Sequence, residues 1–168
     1  VDAGAAVGNF VKKIQSYPQT QHSKIISLEC SHKNLNKLKN LNLNNNIIVE
    51  CALVGINKEV FFSEFVGDTK PDGNHKYYQW GNILGNHKKN LKNKKVKINE
   101  YKVKTITLEG LMNKYGLERI DYLKMDVEGA EYEIIENLDI TIATKIHQIS
   151  LETHNTNKNN NLIKCLEN

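Results

Sequence analysis

The strongest constraint on the fold lies in the first ten residues, where a short apolar stretch carrying an acid, Asp2, runs into two glycines. Residues 1–3 are predicted to end a strand. Gly4 and Gly8 then form a tight turn before a helix that opens at Asn9. A strand, a glycine turn and a helix N-terminus in this order bring the backbone close to a nucleotide-like ligand. Short glycine patterns arise often by chance, so this prediction depends on the rest of the chain.

The apolar periodicity of the chain predicts alternating strands and helices. Core strands are predicted at 1–3, 25–29, 47–53, 120–126 and 145–152. Helices are predicted at 9–17, after Ser31 as N-cap, at 108–115 before Gly116 as C-cap, at 128–138 and at 162–166. Two strand–helix units followed by a strand imply a parallel sheet with right-handed crossovers. The predicted fold class is therefore α/β, with a doubly wound, mostly parallel sheet in a single domain over 1–168.

The regular alternation breaks between residues 58 and 102, and this segment is predicted to be an insertion. Residues 60–66 read as an additional strand, and 67–100 are polar and rich in Gly, Lys and Asn. Trp80, Tyr77 and Tyr78 also lie there. Binding specificity is commonly carried by such irregular segments on a regular scaffold. We therefore expect the insertion to select the second ligand of the cleft.

Composition limits the class of protein. The chain has 23 Lys and Arg against 19 Asp and Glu, a net charge of +4, which favours no nucleic-acid partner without a patterned basic patch. Three cysteines without metal-type or redox-type spacing suit reduced thiols and a cytoplasmic location. No apolar run approaches the ~20 residues of a membrane span. The chain begins without Met and stops in a predicted helix, so we expect truncation at both ends.

The predicted core strands tend to end in acids, and in an open parallel sheet the strand ends surround the ligand site. These acids are Asp2, Glu29, Asp126 and Glu152. Glu29 lies 21 residues beyond Gly8, where an acid accepts hydrogen bonds from the two ribose hydroxyls of a bound nucleoside. A solvated loop carboxylate is the structural alternative for Glu29.

A second group of polar residues is expected at the rim of the same cleft. Asp126 and Glu128 stand where the fourth core strand meets its helix. Asp126 as an N-cap and Glu128 as a partner of the helix dipole are their structural alternatives. His154 follows the fifth core strand, where a general base could act, although a surface histidine fits equally. The basic segment 88–104 is interpreted as a solvated loop.

Four blocks of sequence carry a resemblance to a known family: VDAGAAVGNF, IISLECSHKNLNKLKNL, VKTITLEGLMNKYGLERIDYLKMDVEGAEYEIIENL and ISLETH. Together they resemble the FkbM-type family of class I S-adenosylmethionine-dependent methyltransferases, which share a Rossmann-like fold. The third block contains the signature run lysine-x-aspartate-valine-glutamate-glycine-alanine-glutamate. The resemblance implies S-adenosylmethionine as co-substrate and O-methylation of a hydroxyl on a sugar, polyketide or other metabolite.

The resemblance also implies roles for individual residues. The residues implied for donor binding are Asp2, Gly4, Ala5, Gly8, Glu29, Cys51, Ala52 and Asp126, with Cys51 and Ala52 beside the adenine. The residues implied for catalysis are Asp126, Glu128 and His154. Two positions depart from the family pattern, since Ala6 replaces the usual Asn and Cys30 a common Pro.

Three alternatives remain open on the sequence. A divalent ion held by Asp126, Glu128 and Glu152 is a less favoured route to an acidified hydroxyl. A non-catalytic module that binds S-adenosylmethionine or a nucleoside is a second. An RNA methyltransferase is the third, although the chain lacks the Asn/Asp-Pro-Pro-aromatic run used on base nitrogens. The favoured partner is a small-molecule or glycan hydroxyl acceptor, and the sequence defines no oligomeric state.

Overall fold

A computed structural model describes residues 1–66, 81–82, 97–153 and 162–163 of the chain, and its centre is a five-stranded parallel sheet. The strands are β1 (Asp2–Ala3), β2 (Ile25–Glu29), β3 (Asn46–Glu50), β4 (Ala52–Leu53), β5 (Val60–Val66), β6 (Gly81–Asn82), β7 (Lys97–Val103), β8 (Thr105–Ile106), β9 (Leu123–Met125) and β10 (Ile149–Leu151). The helices are α1 (Asn9–Gln15), α2 (His32–Asn40), α3 (Leu108–Tyr115), α4 (Glu131–Glu136) and α5 (Ile140–Ala143). The predicted α/β class is confirmed.

The order of the central sheet, β10-β9-β1-β2-β3, defines where a ligand can enter. From β1 the chain builds outward through β2 and β3, and it later returns to the other side of β1 with β9 and β10. All four pairings are parallel. The strand order therefore reverses between β1 and β9, and a crevice forms at the carboxyl ends of these two strands.

Local chemistry explains where two of the helices begin and end. The Ser31 side chain accepts a hydrogen bond from the Asn34 backbone N–H at 3.3 Å, which confirms Ser31 as the N-cap of α2. Leu35 and Leu38 are the buried apolar side chains of α2. Helix α3 ends at Gly116, whose φ of 59° lies in the left-handed region, so the predicted glycine C-cap is also confirmed.

The predicted third strand, 47–53, is divided at Cys51. Strand β3 ends at Glu50, and β4 pairs with β8 in a separate parallel ladder. The Cys51 backbone N–H donates to the Glu29 carbonyl at 3.1 Å, which is the last link of this segment to β2. Apolar side chains continue through the break, so hydropathy alone predicted one strand where the backbone forms two.

Other predicted bounds were too long. The first helix ends at residue 15, the fourth core strand covers only 123–125, and the fifth covers only 149–151. The helix predicted at 128–138 is limited to 131–136. Single apolar residues beside these elements extend the apolar pattern past their ends: Tyr17, Ile120, Leu138 and Ile146. Of the predicted last helix, the structure describes Leu162 and Ile163, both helical.

The insertion contains more order than the sequence predicted. Strand β5 is confirmed, and it pairs antiparallel with β7 along seven residues, from Val60 opposite Val103 to Val66 opposite Lys97. Strand β7 lies largely within the segment expected to be irregular. It was not predicted because its Lys and Asn residues hide the alternating pattern of a strand. Trp80, Tyr77 and Tyr78 lie outside the described residues, as does most of the basic segment.

The core joins the sheet to its helices through fully buried aliphatic side chains. Leu28, Leu123 and Met125 of the sheet belong to one cluster with Leu111 of α3 and Ile134 of α4. Each such side chain contributes about 1.5–3 kcal/mol by leaving water. In the part of the chain that the structure describes, no helix is both long enough and apolar enough to span a membrane.

Candidate functional site

A cleft of about 580 Å³, counting its open mouth, lies at the carboxyl ends of the central strands. Six of the predicted site residues line it: Gly4, Glu29, Cys51, Ala52, Asp126 and Glu128. The structure therefore brings together residues in or directly beside β1, β2, β4 and β9 that are distant in the sequence.

The remaining predicted residues lie elsewhere. Asp2 and Ala5 are buried below the cleft surface, with exposed fractions of 0% and 4%. At Gly8 a Cβ atom would lie 2.8 Å from Leu38 and 2.6 Å from Leu41, so this glycine permits close packing of the turn on the α2 region. His154 lies outside the described residues.

The glycine turn is fixed to the strands on both sides of it. At Gly4, with φ at 76°, a Cβ atom would lie 1.9 Å from the Asp126 carbonyl oxygen, and no side chain fits there. The backbone N–H groups of Gly4 and Ala5 both donate to the Leu28 carbonyl at 3.0 Å. Ala6 has a φ of 48°, a left-handed conformation in which a Cβ atom is strained.

Glu29 is buried, with 7% of its surface exposed, and its carboxylate is oriented by backbone donors. Oε2 accepts from the Ala6 N–H at 2.7 Å, and Oε1 accepts from the N–H groups of Cys30 at 2.8 Å and Ser31 at 2.7 Å. Burial raises the pKa of Glu29 above its ordinary value of 4.5, and these donors oppose the rise. The alternative of a solvated loop carboxylate is therefore wrong.

Lys124 of β9 is a central residue of the site to which the sequence reasoning assigned no role. Its Nζ lies 3.4 Å from Asp2 Oδ1 and 3.6 Å from Asp126 Oδ2, and it donates to the Gly4 carbonyl at 3.2 Å. Burial raises the pKa of Asp2, and the Lys124 ammonium opposes that rise. The sequence signal that could have indicated this role is a lysine inside a short buried strand, since a buried charge needs a partner of opposite charge.

The loop between β9 and α4 is held by Glu131, which is fully buried. Its carboxylate accepts from the Val127 N–H at 2.7 Å and from the Gly129 N–H at 2.8 Å. Glu128 and Gly129 have positive φ angles of 56° and 103°, so the chain cannot be helical before residue 130. The alternative of Asp126 as an N-cap is therefore wrong, and Glu128 lies before the first helical turn. Both side chains belong to a turn that faces the cleft.

One wall of the cleft comes from the insertion, which the sequence predicted at the cleft without indicating which of its residues line it. Phe62 of β5 lines the cleft together with Leu53, and only 6% of Phe62 is exposed. Cys30 and Cys51 lie at the same side. Burial raises the pKa of Cys51 to about 11 and that of Cys30 well above its ordinary value, so both are neutral thiols that add apolar surface.

The cation alternative finds no support in the side-chain geometry. Among the residues that the structure describes, no group of three His, Cys, Asp or Glu side chains is placed to hold a metal ion. Asp126 is instead paired with Lys124, and Glu29 accepts from backbone N–H groups.

Comparison with known proteins places the chain in a family. It is 45% identical to the AMB antimetabolite synthetase AmbE of Pseudomonas aeruginosa over 47 residues, which are 28% of this chain and only 2% of that protein. No solved structure matches the chain. A model of the methyltransferase FkbM domain matches residues 2–166. Since that match covers nearly the whole chain, the protein belongs to the FkbM methyltransferase family.

Proposed function

We propose that the protein transfers a methyl group from S-adenosylmethionine to a hydroxyl of a sugar, polyketide or other small metabolite. The observation that carries the proposal is the convergence of Gly4, Glu29, Cys51, Ala52, Asp126 and Glu128 on one cleft at the point where strand order reverses. Such a crevice is where open α/β sheets bind nucleotide-like ligands.

The residues of the cleft fit the chemistry of this donor. Glu29 offers oriented carboxylate oxygens for ribose hydroxyls at the end of β2. The glycine turn lets backbone approach the ligand, and Phe62, Cys51 and Ala52 form an apolar wall suited to an adenine ring. When bound, the sulfonium group of the donor supplies an electrophilic methyl carbon.

The reaction side of the cleft is assigned to Asp126 and Glu128. In methyl transfer the acceptor oxygen bonds to the methyl carbon, the carbon–sulfur electron pair remains on sulfur, and the hydroxyl proton passes to a base. Asp126 is the described candidate for that base, with 31% of its side chain exposed. His154 is the second candidate, and Glu128 orients the acceptor.

The proposal is tested by calorimetry with S-adenosylmethionine, followed by transfer of labelled methyl to a panel of sugar and polyketide hydroxyls. We expect donor binding, transfer to at least one hydroxyl class, and a loss of turnover in Asp126→Asn or in His154→Ala that exceeds any loss of donor affinity. Turnover that survives in both variants would remove this assignment of the base. A chain that does not bind the donor would overturn the proposal itself.

A non-catalytic donor-binding module is the second candidate, and the conformation of Ala6 favours it. A non-glycine residue at φ 48° costs about 1–2 kcal/mol, which weakens a turn that must be held rigidly for transfer. Donor binding without transfer to any hydroxyl of the panel would favour this module. Transfer to RNA with a steep salt dependence would instead identify a nucleic-acid acceptor.

We also propose a cytoplasmic location for the protein. Cys30 and Cys51 are free thiols, as is usual in reducing compartments. Fractionation of cells that express the native gene tests this, and recovery of the protein outside the cytoplasm would contradict it.

A further inference from the structure

The insertion makes specific polar contacts with the loop that orients Glu29. This loop, residues 30–32, follows β2 and ends at the first residue of α2. The Tyr101 hydroxyl of β7 accepts a hydrogen bond from the His32 N–H at 3.1 Å. The two rings also stack, with centroids 4.1 Å apart and planes inclined by 8°. An insertion residue is thus attached to the loop by backbone and by side chain.

Glu64 of β5 completes the attachment from inside the protein. Only 6% of Glu64 is exposed, and its Oε1 accepts from the Ser31 hydroxyl and from the Tyr101 hydroxyl, both at 2.9 Å. Burial raises the pKa of Tyr101, so this hydroxyl keeps its proton and remains a donor. A buried carboxylate with two hydroxyl donors holds both of them in one geometry.

The loop therefore has two bonded sides. On one side the backbone N–H groups of Cys30 and Ser31 donate to Glu29 Oε1. On the other side the Ser31 hydroxyl and the His32 N–H are held by Glu64 and Tyr101. Ser31 belongs to both sets. A displacement of Glu64 or Tyr101 is therefore transmitted to the position of the Glu29 carboxylate through a single short loop.

We propose that Tyr101 and Glu64 are positioning residues for the ribose of the donor, acting through the loop of residues 30–32 on Glu29. This inference rests on the proposed function, and it gives part of the insertion a role on the donor side of the cleft. A hydrogen bond to a charged group depends steeply on geometry. Displacement of Glu29 therefore weakens its hydrogen bonds with the ribose hydroxyls, whereas contacts with the adenine remain.

The decisive experiment varies the protein and the ligand together. Calorimetry on the full chain measures the binding of S-adenosylhomocysteine, which cannot react, and of its 2′,3′-dideoxyribose analogue, which lacks both hydroxyls that Glu29 would accept from. The variant is Tyr101→Phe, which keeps the ring stacked on His32 and removes only the hydroxyl. Tyr122→Phe is the matched control, because Tyr122 stacks on Phe10 just before β9 and is not among the residues that line the cleft.

We expect the wild type to bind the hydroxylated ligand at least about tenfold more tightly than the dideoxy analogue, because hydrogen bonds to a charged group are lost. Tyr101→Phe should lose about five- to tenfold affinity for the hydroxylated ligand and less than about twofold for the analogue. Tyr122→Phe should bind both ligands as the wild type does. A wild type that discriminates, with a Tyr101→Phe variant weakened equally for both ligands, would overturn the inference.

Failure of the proposed function gives a different result. In that case the wild type binds neither ligand, or binds both equally, whatever residue stands at 101. Glu64→Gln provides a second route if Tyr101→Phe does not fold, because the amide keeps the shape and an acceptor oxygen. Glu64→Gln should also lose affinity selectively for the hydroxylated ligand, but by a smaller factor of about two to three. No loss, or an equal loss for both ligands, would again overturn the inference.

Discussion

The parallel sheet and the antiparallel β5–β7 pair meet at the cleft, but they contribute to it in different ways. The central strands are two to five residues long and supply groups at their ends, such as Glu29 and Asp126, through turns with demanding backbone geometry. The strands of the β5–β7 pair are seven residues long and supply one face, where Phe62 is buried while Phe61 is 47% exposed. The sheet side of the cleft therefore depends on backbone conformation at single residues, and the β5–β7 side depends on side-chain contacts.

The largest effect is expected where the sheet side is tightest. Gly4→Ala should destabilise the protein by about 4 kcal/mol, because the new methyl group meets the Asp126 carbonyl oxygen and the backbone is left-handed. Gly116→Ala is the matched control, with a similar φ but no atom within 4 Å, and should cost about 1 kcal/mol. Urea unfolding measures both. Equal losses of unfolding free energy in Gly4→Ala and Gly116→Ala would mean that the contact of the glycine turn with the Asp126 carbonyl is not rigid.

The next effect tests the ion pair under the cleft. Lys124→Met leaves Asp2 buried without its cation and should destabilise by about 3 kcal/mol. Lys39→Met removes the exposed pair with Glu50 and should cost less than about 1 kcal/mol. The double variant Asp2→Asn with Lys124→Met should recover part of the loss. Unfolding free energies of Lys124→Met and Lys39→Met that agree would contradict a structural role for Lys124.

A smaller effect is expected at the loop that presents Asp126 and Glu128. Glu131→Gln replaces one carboxylate oxygen that accepts a backbone N–H, and should cost about 2 kcal/mol. Glu136→Gln, at an exposed position of the same helix, should be nearly neutral. Hydrogen exchange of the Val127 and Gly129 amides provides the direct readout. Unchanged protection of these amides in Glu131→Gln would show that the loop keeps its conformation without the Glu131 carboxylate.

These residues show which parts of the molecule could be predicted from the sequence. The Ser31 cap, the Gly116 cap and the acids at strand ends could be predicted because each follows from chemistry within a few residues. The cross-strand partner of Lys124 depends on register between segments more than 100 residues apart, which no local pattern encodes. For the same reason the sequence did not predict the break at Cys51 or the place of Phe62 in the cleft.

The smallest effect concerns the strained turn residue, Ala6. Ala6→Gly should stabilise the protein by about 0.5–1 kcal/mol, because glycine adopts a φ of 48° without strain and keeps the N–H that binds Glu29. Ala143→Gly, in α5, should have the opposite sign. Thermal unfolding compares the two. Destabilisation by Ala6→Gly would show that the left-handed conformation is not a source of strain.

The central claim, that the cleft holds the ribose of S-adenosylmethionine through Glu29, is tested most directly by donor affinity in Glu29→Gln. Calorimetry at neutral pH should show at least about a tenfold loss, since a charged acceptor is replaced by a neutral one. Burial raises the pKa of Glu29 above its ordinary value of 4.5. As the pH falls, the wild-type carboxylate is therefore protonated, and donor affinity decreases, at a higher pH than for an ordinary glutamate. Glu29→Gln should lack this part of the acid dependence. Equal donor affinity in the wild type and in Glu29→Gln at neutral pH would contradict the account.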